Sequence, residues 1–254
     1  MNTPKFIIFH QPKTAGTYAS RCLPNGYVMN HYNNYNWCLK KNIISKNTKL
    51  VCILRKPIDY YISLINFWCL DPKYCKYIKN NSITKLQNLY KNKTDNIGHP
   101  SYWISNGYTE RNLINILNNL LSDEFIHKNK DKLSLKHHTY DHYVFSIMEK
   151  LDIGFYTFSF LSQFSRKNVN DIQTSEECRE EIEYIYNNFI VLNTENITKE
   201  LNDLCDLYSV PFKNTSNQMV STIKNKNYNI SDDIIEKIKY KDRYMFEFFL
   251  IMNR

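Results

Sequence analysis

Two short apolar runs, each ending in a basic loop that opens into a helix, constrain the fold of this 254-residue chain more than any other feature. Lys5–His10 (KFIIFH) and Lys49–Leu54 (KLVCIL) are rich in strand-favouring residues and shorter than a usual helix. Neither alternates polar with apolar positions, so both read as strands covered on both faces, as in a parallel sheet. The first runs into Gln11–Gly16 and a helix-compatible stretch, Thr17–Leu23, stopped by Pro24-Asn25-Gly26. The second meets Pro57, suited to the first turn of a helix reaching about Leu70. Tyr27–Asn30 and Phe189–Leu192 read as further strands. Such alternation predicts an α/β fold, a central parallel sheet flanked by helices, with ligands at the carboxyl ends of the strands.

The rest of the chain reads as helices and polar connections. Tyr35–Ile44 has one apolar face, Glu110–Leu121 and Tyr140–Leu151 look amphipathic, and a helix runs from about Asn196 to Tyr208. Ser231 caps a last helix, with Asp232 and Asp233 in its first turn and a Tyr240, Tyr244, Phe248 stripe expected in the core. Residues 71–110 are polar and read as a surface excursion. We expect one domain over 1–254, with 71–180 a mostly helical or loop insertion.

Composition narrows the partners. Lys and Arg outnumber Asp and Glu by 33 to 25, a net charge of +8 that favours anions. The surplus is scattered, so nucleic acid is not the expected partner. No apolar run approaches the ~20 residues a membrane span needs, and no secretory pattern opens the chain. A cytoplasmic location is therefore expected, and the seven irregularly spaced cysteines read mainly as buried thiols. Cys69 and Cys75 are the one close pair. His138 and His142 stand four apart, with His137 beside them, but no carboxylate or Cys completes a metal set, and a surface role is expected.

The segment His10-Gln11-Pro12-Lys13-Thr14-Ala15-Gly16-Thr17-Tyr18 lies where a phosphate loop belongs. Gly16 permits close backbone approach, the N–H groups of Thr14 to Tyr18 suit an anion, and Lys13, Thr14 and Thr17 add a charge and two hydroxyls. It is not a Walker A loop, because its Lys precedes the Gly. Pro-Lys-Thr-Ala-Gly-Thr after a first strand resembles the 5′-phosphosulfate loop of sulfotransferases that use 3′-phosphoadenosine-5′-phosphosulfate (PAPS), above all the carbohydrate sulfotransferases.

That family's second motif, which holds the 3′-phosphate, has a strand ending in Arg, then x-Pro, then a Ser eight residues after the Arg. Arg55, Pro57 and Ser63 match it, whereas Tyr60 stands where many members carry a second Arg. The resemblance implies a P-loop, nucleotide-kinase-like core. It implies PAPS as cofactor, bound by Pro12, Lys13, Thr14, Ala15, Gly16, Thr17, Tyr18, Arg55 and Ser63, and no metal. It implies transfer of a sulfuryl group to a hydroxyl acceptor, expected on a carbohydrate, with His31 as general base and Lys13 at the leaving phosphate. Glu110 and Glu195 are alternative bases, and 71–180 would shape the acceptor site. His99, Trp103 and Asn106 are candidates to line it, and Lys224 and Lys226 to add charge near the nucleotide. A nucleotide kinase-like phosphotransferase and a non-catalytic PAPS-binding protein remain open alternatives.

Overall fold

The computed structural model describes residues 4–29, 33–70, 113–132, 134–137, 140–215 and 230–252. In chain order its elements begin with β1 (Phe6–Phe9), α1 (Gly16–Cys22), β2 (Val28–Met29), α2 (Tyr35–Lys40), β3 (Lys49–Leu54) and α3 (Pro57–Leu70). There follow α4 (Leu113–Leu120), α5 (Asp123–Asn129), β4 (Ser134–His137), β5 (Tyr140–His142), α6 (Val144–Leu151) and α7 (Phe155–Phe164). Last come α8 (Ser175–Asn188), β6 (Phe189–Asn193), α9 (Ile197–Tyr208), α10 (Asp232–Lys241) and α11 (Arg243–Met252). Contacts divide the chain into two units: Met1–Pro57, Tyr156–Thr222 and Tyr244–Arg254 form one, Ile58–Phe155 and Ile223–Arg243 the other.

The first unit is built on a four-stranded sheet of order β2-β1-β3-β6, parallel throughout. The fold is α/β with a central parallel sheet flanked by helices, as the two apolar runs predict. Helices or side chains on both faces explain why Phe6–Phe9 and Leu50–Leu54 carry no polar residue. Phe6, Ile8, Val51 and Ile53 pack on one face against Tyr18, Ala19 and Cys22 of α1 and Leu201, Leu204 and Cys205 of α9. On the other face the ring of Phe9 meets Tyr35 of α2 at 5.7 Å and Phe164 of α7 at 6.5 Å. Each such large side chain, fully buried, contributes roughly 1.5–3 kcal/mol. The strand order also fixes where a ligand belongs. The chain leaves β1 for β2 on one side and returns to β3 on the other, so a switch point lies between β1 and β3.

An ion pair between a buried carboxylate and an exposed arginine ties α8 to the turn after α7. Glu181, 1% exposed, accepts hydrogen bonds from Ser165 Oγ (2.8 Å), the Arg166 backbone N–H (2.8 Å) and Arg166 Nε and Nη2 (3.1 and 2.8 Å). Burial alone would raise its carboxyl, but Arg166 and Ser165 outweigh burial and hold it below its ordinary value. A depressed folded-state value means stability present above about 4.5, the ordinary Glu value, and lost as pH falls through the folded one. Glu181→Gln is expected to cost about 2–3 kcal/mol at neutral pH. Its stability should also fall less steeply with acid than that of the wild type, as urea unfolding across this range will measure.

The second unit holds α3 from Ile58 onward and α10. There Lys241, its side chain 7% exposed, bonds Asp123 and Asp152, each at 2.6 Å. Tyr61 donates to the buried Asp242 at 2.6 Å and accepts from the N–H of Phe155 at 3.0 Å.

Three readings of local structure are corrected. Tyr140–Leu151 is not one helix: Tyr140–His142 pairs antiparallel with β4, and the helix begins at Val144. The buried helical pattern, Val144, Phe145, Ile147, Met148 and Leu151, starts only there. His137 and His142 thus stand on strands, and no metal-binding group occurs among the described residues. The last helix is broken at Asp242, whose carboxylate is taken by Tyr61. The aromatic stripe spans that break: Tyr244 and Phe248 are buried, while Tyr240 is 58% exposed and bonds Asp152. The Tyr35 helix ends at Lys40, short of Ile44.

Among the described residues no helix is long and apolar enough to cross a membrane. Cys22, Cys38, Cys52, Cys178 and Cys205 are free and buried. Burial pushes the Cys38 and Cys205 thiols up to about 11, which makes them poor nucleophiles. Cys75 and the 71–110 excursion lie outside the described residues.

Candidate functional site

Because β1 and β3 are parallel neighbours, the segments that follow them leave the sheet at the same edge, on either side of the switch point. Arg55, one residue past β3, reaches across. Its Nη1 donates to the carbonyl oxygen of Lys13 at 2.9 Å. The two motifs read separately in the sequence are therefore joined by a hydrogen bond spanning 42 residues of chain.

The first loop is held in an unusual backbone conformation. Lys13 and Ala15 have φ of 67° and 60°, and Thr14 between them does not share that sign. Such alternation turns successive peptide N–H groups toward one side and builds an anion-binding concavity. It places two residues that have a Cβ in the left-handed region, at a cost of order 1–3 kcal/mol each. The Thr14 hydroxyl is buried and donates to the Gln11 carbonyl at 2.9 Å, so this side chain closes the loop from within. Thr17 is exposed, and Pro12, Lys13 and Ala15 are half-buried. Tyr18 sends its ring into the core, where its hydroxyl meets Thr198 of α9 at 2.9 Å. With α1 only seven residues long, the cradle rests on loop geometry more than on a helix dipole.

Gly16 is needed here for space. A Cβ at this position would stand 1.8 Å from the ring of His10, which is itself 9% exposed. His10 thus fills the notch under the loop, a role that no local pattern assigns.

Arg55 is half-buried, and α7 fixes its backbone. The Tyr156 hydroxyl donates to the Arg55 carbonyl at 2.9 Å and accepts from the Arg55 N–H at 3.1 Å. Lys56, next in the chain, pairs with Glu195 at 2.5 Å, just past β6, so this alternative base sits in an ion pair. Ser63 is half-buried on α3, in the second unit. Tyr60, in place of the second Arg, is fully buried and edge-on to Tyr61 at 6.0 Å, a core residue that supplies no charge. His31, Glu110, His99, Trp103, Asn106, Lys224 and Lys226 lie outside the described residues; β2 ends at Met29.

No family model, no curated protein and no solved structure matches the chain.

Proposed function

We propose that the chain is a PAPS-dependent sulfotransferase with a P-loop, nucleotide-kinase-like core, acting on a hydroxyl acceptor of a carbohydrate. The observation that carries this reading is the hydrogen bond from Arg55 Nη1 to the Lys13 carbonyl across the tips of β1 and β3. It brings a cation at one strand tip against the loop at the next, the arrangement an adenylate phosphorylated at both ends needs. The donor set fits that ligand. Lys13 and the backbone of residues 14–18 suit the 5′ end, and the forked guanidinium of Arg55 suits the 3′-phosphate.

PAPS supplies an activated sulfuryl group whose bond to the 5′-phosphate breaks as the acceptor oxygen bonds to sulfur. His31 takes the proton from the acceptor hydroxyl. Lys13 neutralises the negative charge that grows on the departing phosphate, so its attraction is strongest in the transition state. The remaining catalysis is positioning, as in phosphoryl transfer. The net charge of +8 favours both a bis-phosphorylated cofactor and an anionic glycan.

The test is transfer of radiolabelled sulfate from PAPS to a panel of glycans, run beside transfer of phosphate from ATP. Labelled glycan from PAPS alone is expected. Label moving only from ATP would favour a phosphotransferase. Tight binding of PAPS with no transfer across the panel would favour a binding protein that does no chemistry.

A further inference from the structure

α7 contacts both loops, and the contacts close a ring. Tyr156 and Ser159 lie three positions apart, on one face of the helix. Tyr156 holds both backbone groups of Arg55. Ser159 Oγ accepts from the side-chain amide of Gln11 at 3.3 Å. Gln11 is fully buried, and its Oε1 meets no donor among the described residues, so the Ser159 contact orients the amide. The Gln11 carbonyl receives the Thr14 hydroxyl, and the Lys13 carbonyl between them receives Arg55 Nη1. The circuit therefore runs from Arg55 to the Lys13–Thr14 loop, through Gln11 to Ser159, along α7 to Tyr156, and back to Arg55.

We infer that α7 is the strut that sets the spacing between the two anion loops, with Tyr156 and Ser159 as positioning residues. The inference rests on the nucleotide reading above and adds to it how simultaneous grip on both phosphates is achieved. A ligand with one phosphate needs only one loop in place. A ligand with two needs both loops at a fixed separation, and gains affinity from the second contact only when that separation is held in advance. Loss of the strut should therefore remove the preference for two phosphates and leave single-phosphate binding nearly unchanged.

The experiment is calorimetry of the full chain with 3′,5′-ADP and with 5′-AMP, for the wild type, Tyr156→Phe and Ser159→Ala, with unliganded melting temperatures alongside. Tyr156→Phe is expected to weaken 3′,5′-ADP by about tenfold or more while changing 5′-AMP by less than about threefold. Ser159→Ala should move the ratio the same way by a smaller factor, and it carries the test alone should Tyr156→Phe not fold. A lowered melting temperature with the wild-type ratio retained in the folded variants would make these residues merely structural and overturn the inference, leaving the nucleotide reading intact. A wild type that binds 3′,5′-ADP no more tightly than 5′-AMP would overturn the reading itself, and the strut with it.

Discussion

His31→Ala is expected to reduce turnover by about 10²–10⁴-fold while leaving the affinity for 3′,5′-ADP within a factor of about two, because a general base acts on the acceptor proton and not on the nucleotide. The expectation follows from the resemblance and from the place of His31 in the sequence, directly after the strand candidate Tyr27–Asn30. A split between kcat and nucleotide binding is what separates a base from a structural histidine. Steady-state rates with PAPS, paired with calorimetry of the product nucleotide, measure both. Equal loss of rate and affinity would make His31 part of the fold. An unchanged rate would move the role of base elsewhere, with Glu110 to be tested next. Glu195, paired with Lys56 at 2.5 Å, is the other alternative.

Arg55→Ala should weaken 3′,5′-ADP by about 10–100-fold, the value of a charge-assisted bond of about 1.5–3 kcal/mol. Two effects enter this loss. On the proposed reading the guanidinium no longer meets the 3′-phosphate, and the Lys13 carbonyl loses its donor, so the first loop is less well held. Arg55→Lys separates them. It restores a positive charge without the fork that bonds phosphate and carbonyl together, so only partial recovery is expected. Binding of 5′-AMP supplies the control. A large effect of Arg55→Ala on 3′,5′-ADP with a small one on 5′-AMP assigns Arg55 to the 3′ end. Loss of both to the same degree would mean that Arg55 serves mainly to shape the first loop.

The sheet was legible because its signals are local. Phe6–Phe9 and Lys49–Leu54 are apolar on both faces, Pro57 marks a helix start, and the late strand at Phe189 came within one residue of its observed end. The order of the strands, and hence the switch point between β1 and β3, was not in any local pattern. It arises from which runs pair in three dimensions. The site was legible by its motifs but not by its supports. Tyr156 sits in FYTFSFLSQF, where nothing local sets it apart from the other aromatic side chains, and its partner Arg55 is 101 residues away. Gln11 and Ser159 are 148 apart. His10 reads as the end of a strand, and only the space over Gly16 shows what its ring does. The misread helices failed for the converse reason. Tyr140–His142 adjoins a good helical pattern, and another is broken at Asp242, where the backbone leaves the helical region and the carboxylate is bonded by Tyr61, 181 residues away.

The most direct measurement is the shift in melting temperature on adding equal concentrations of 3′,5′-ADP, 5′-AMP and ATP, the last with and without magnesium. Stabilisation grows with affinity for the native state, and only the first ligand carries a phosphate for each of the two loops. A clearly larger shift with 3′,5′-ADP, reduced in Arg55→Ala, is expected. Equal shifts with 5′-AMP, or a larger one with magnesium and ATP, would contradict a cofactor site in which the Lys13 loop and Arg55 grip opposite ends of one adenylate.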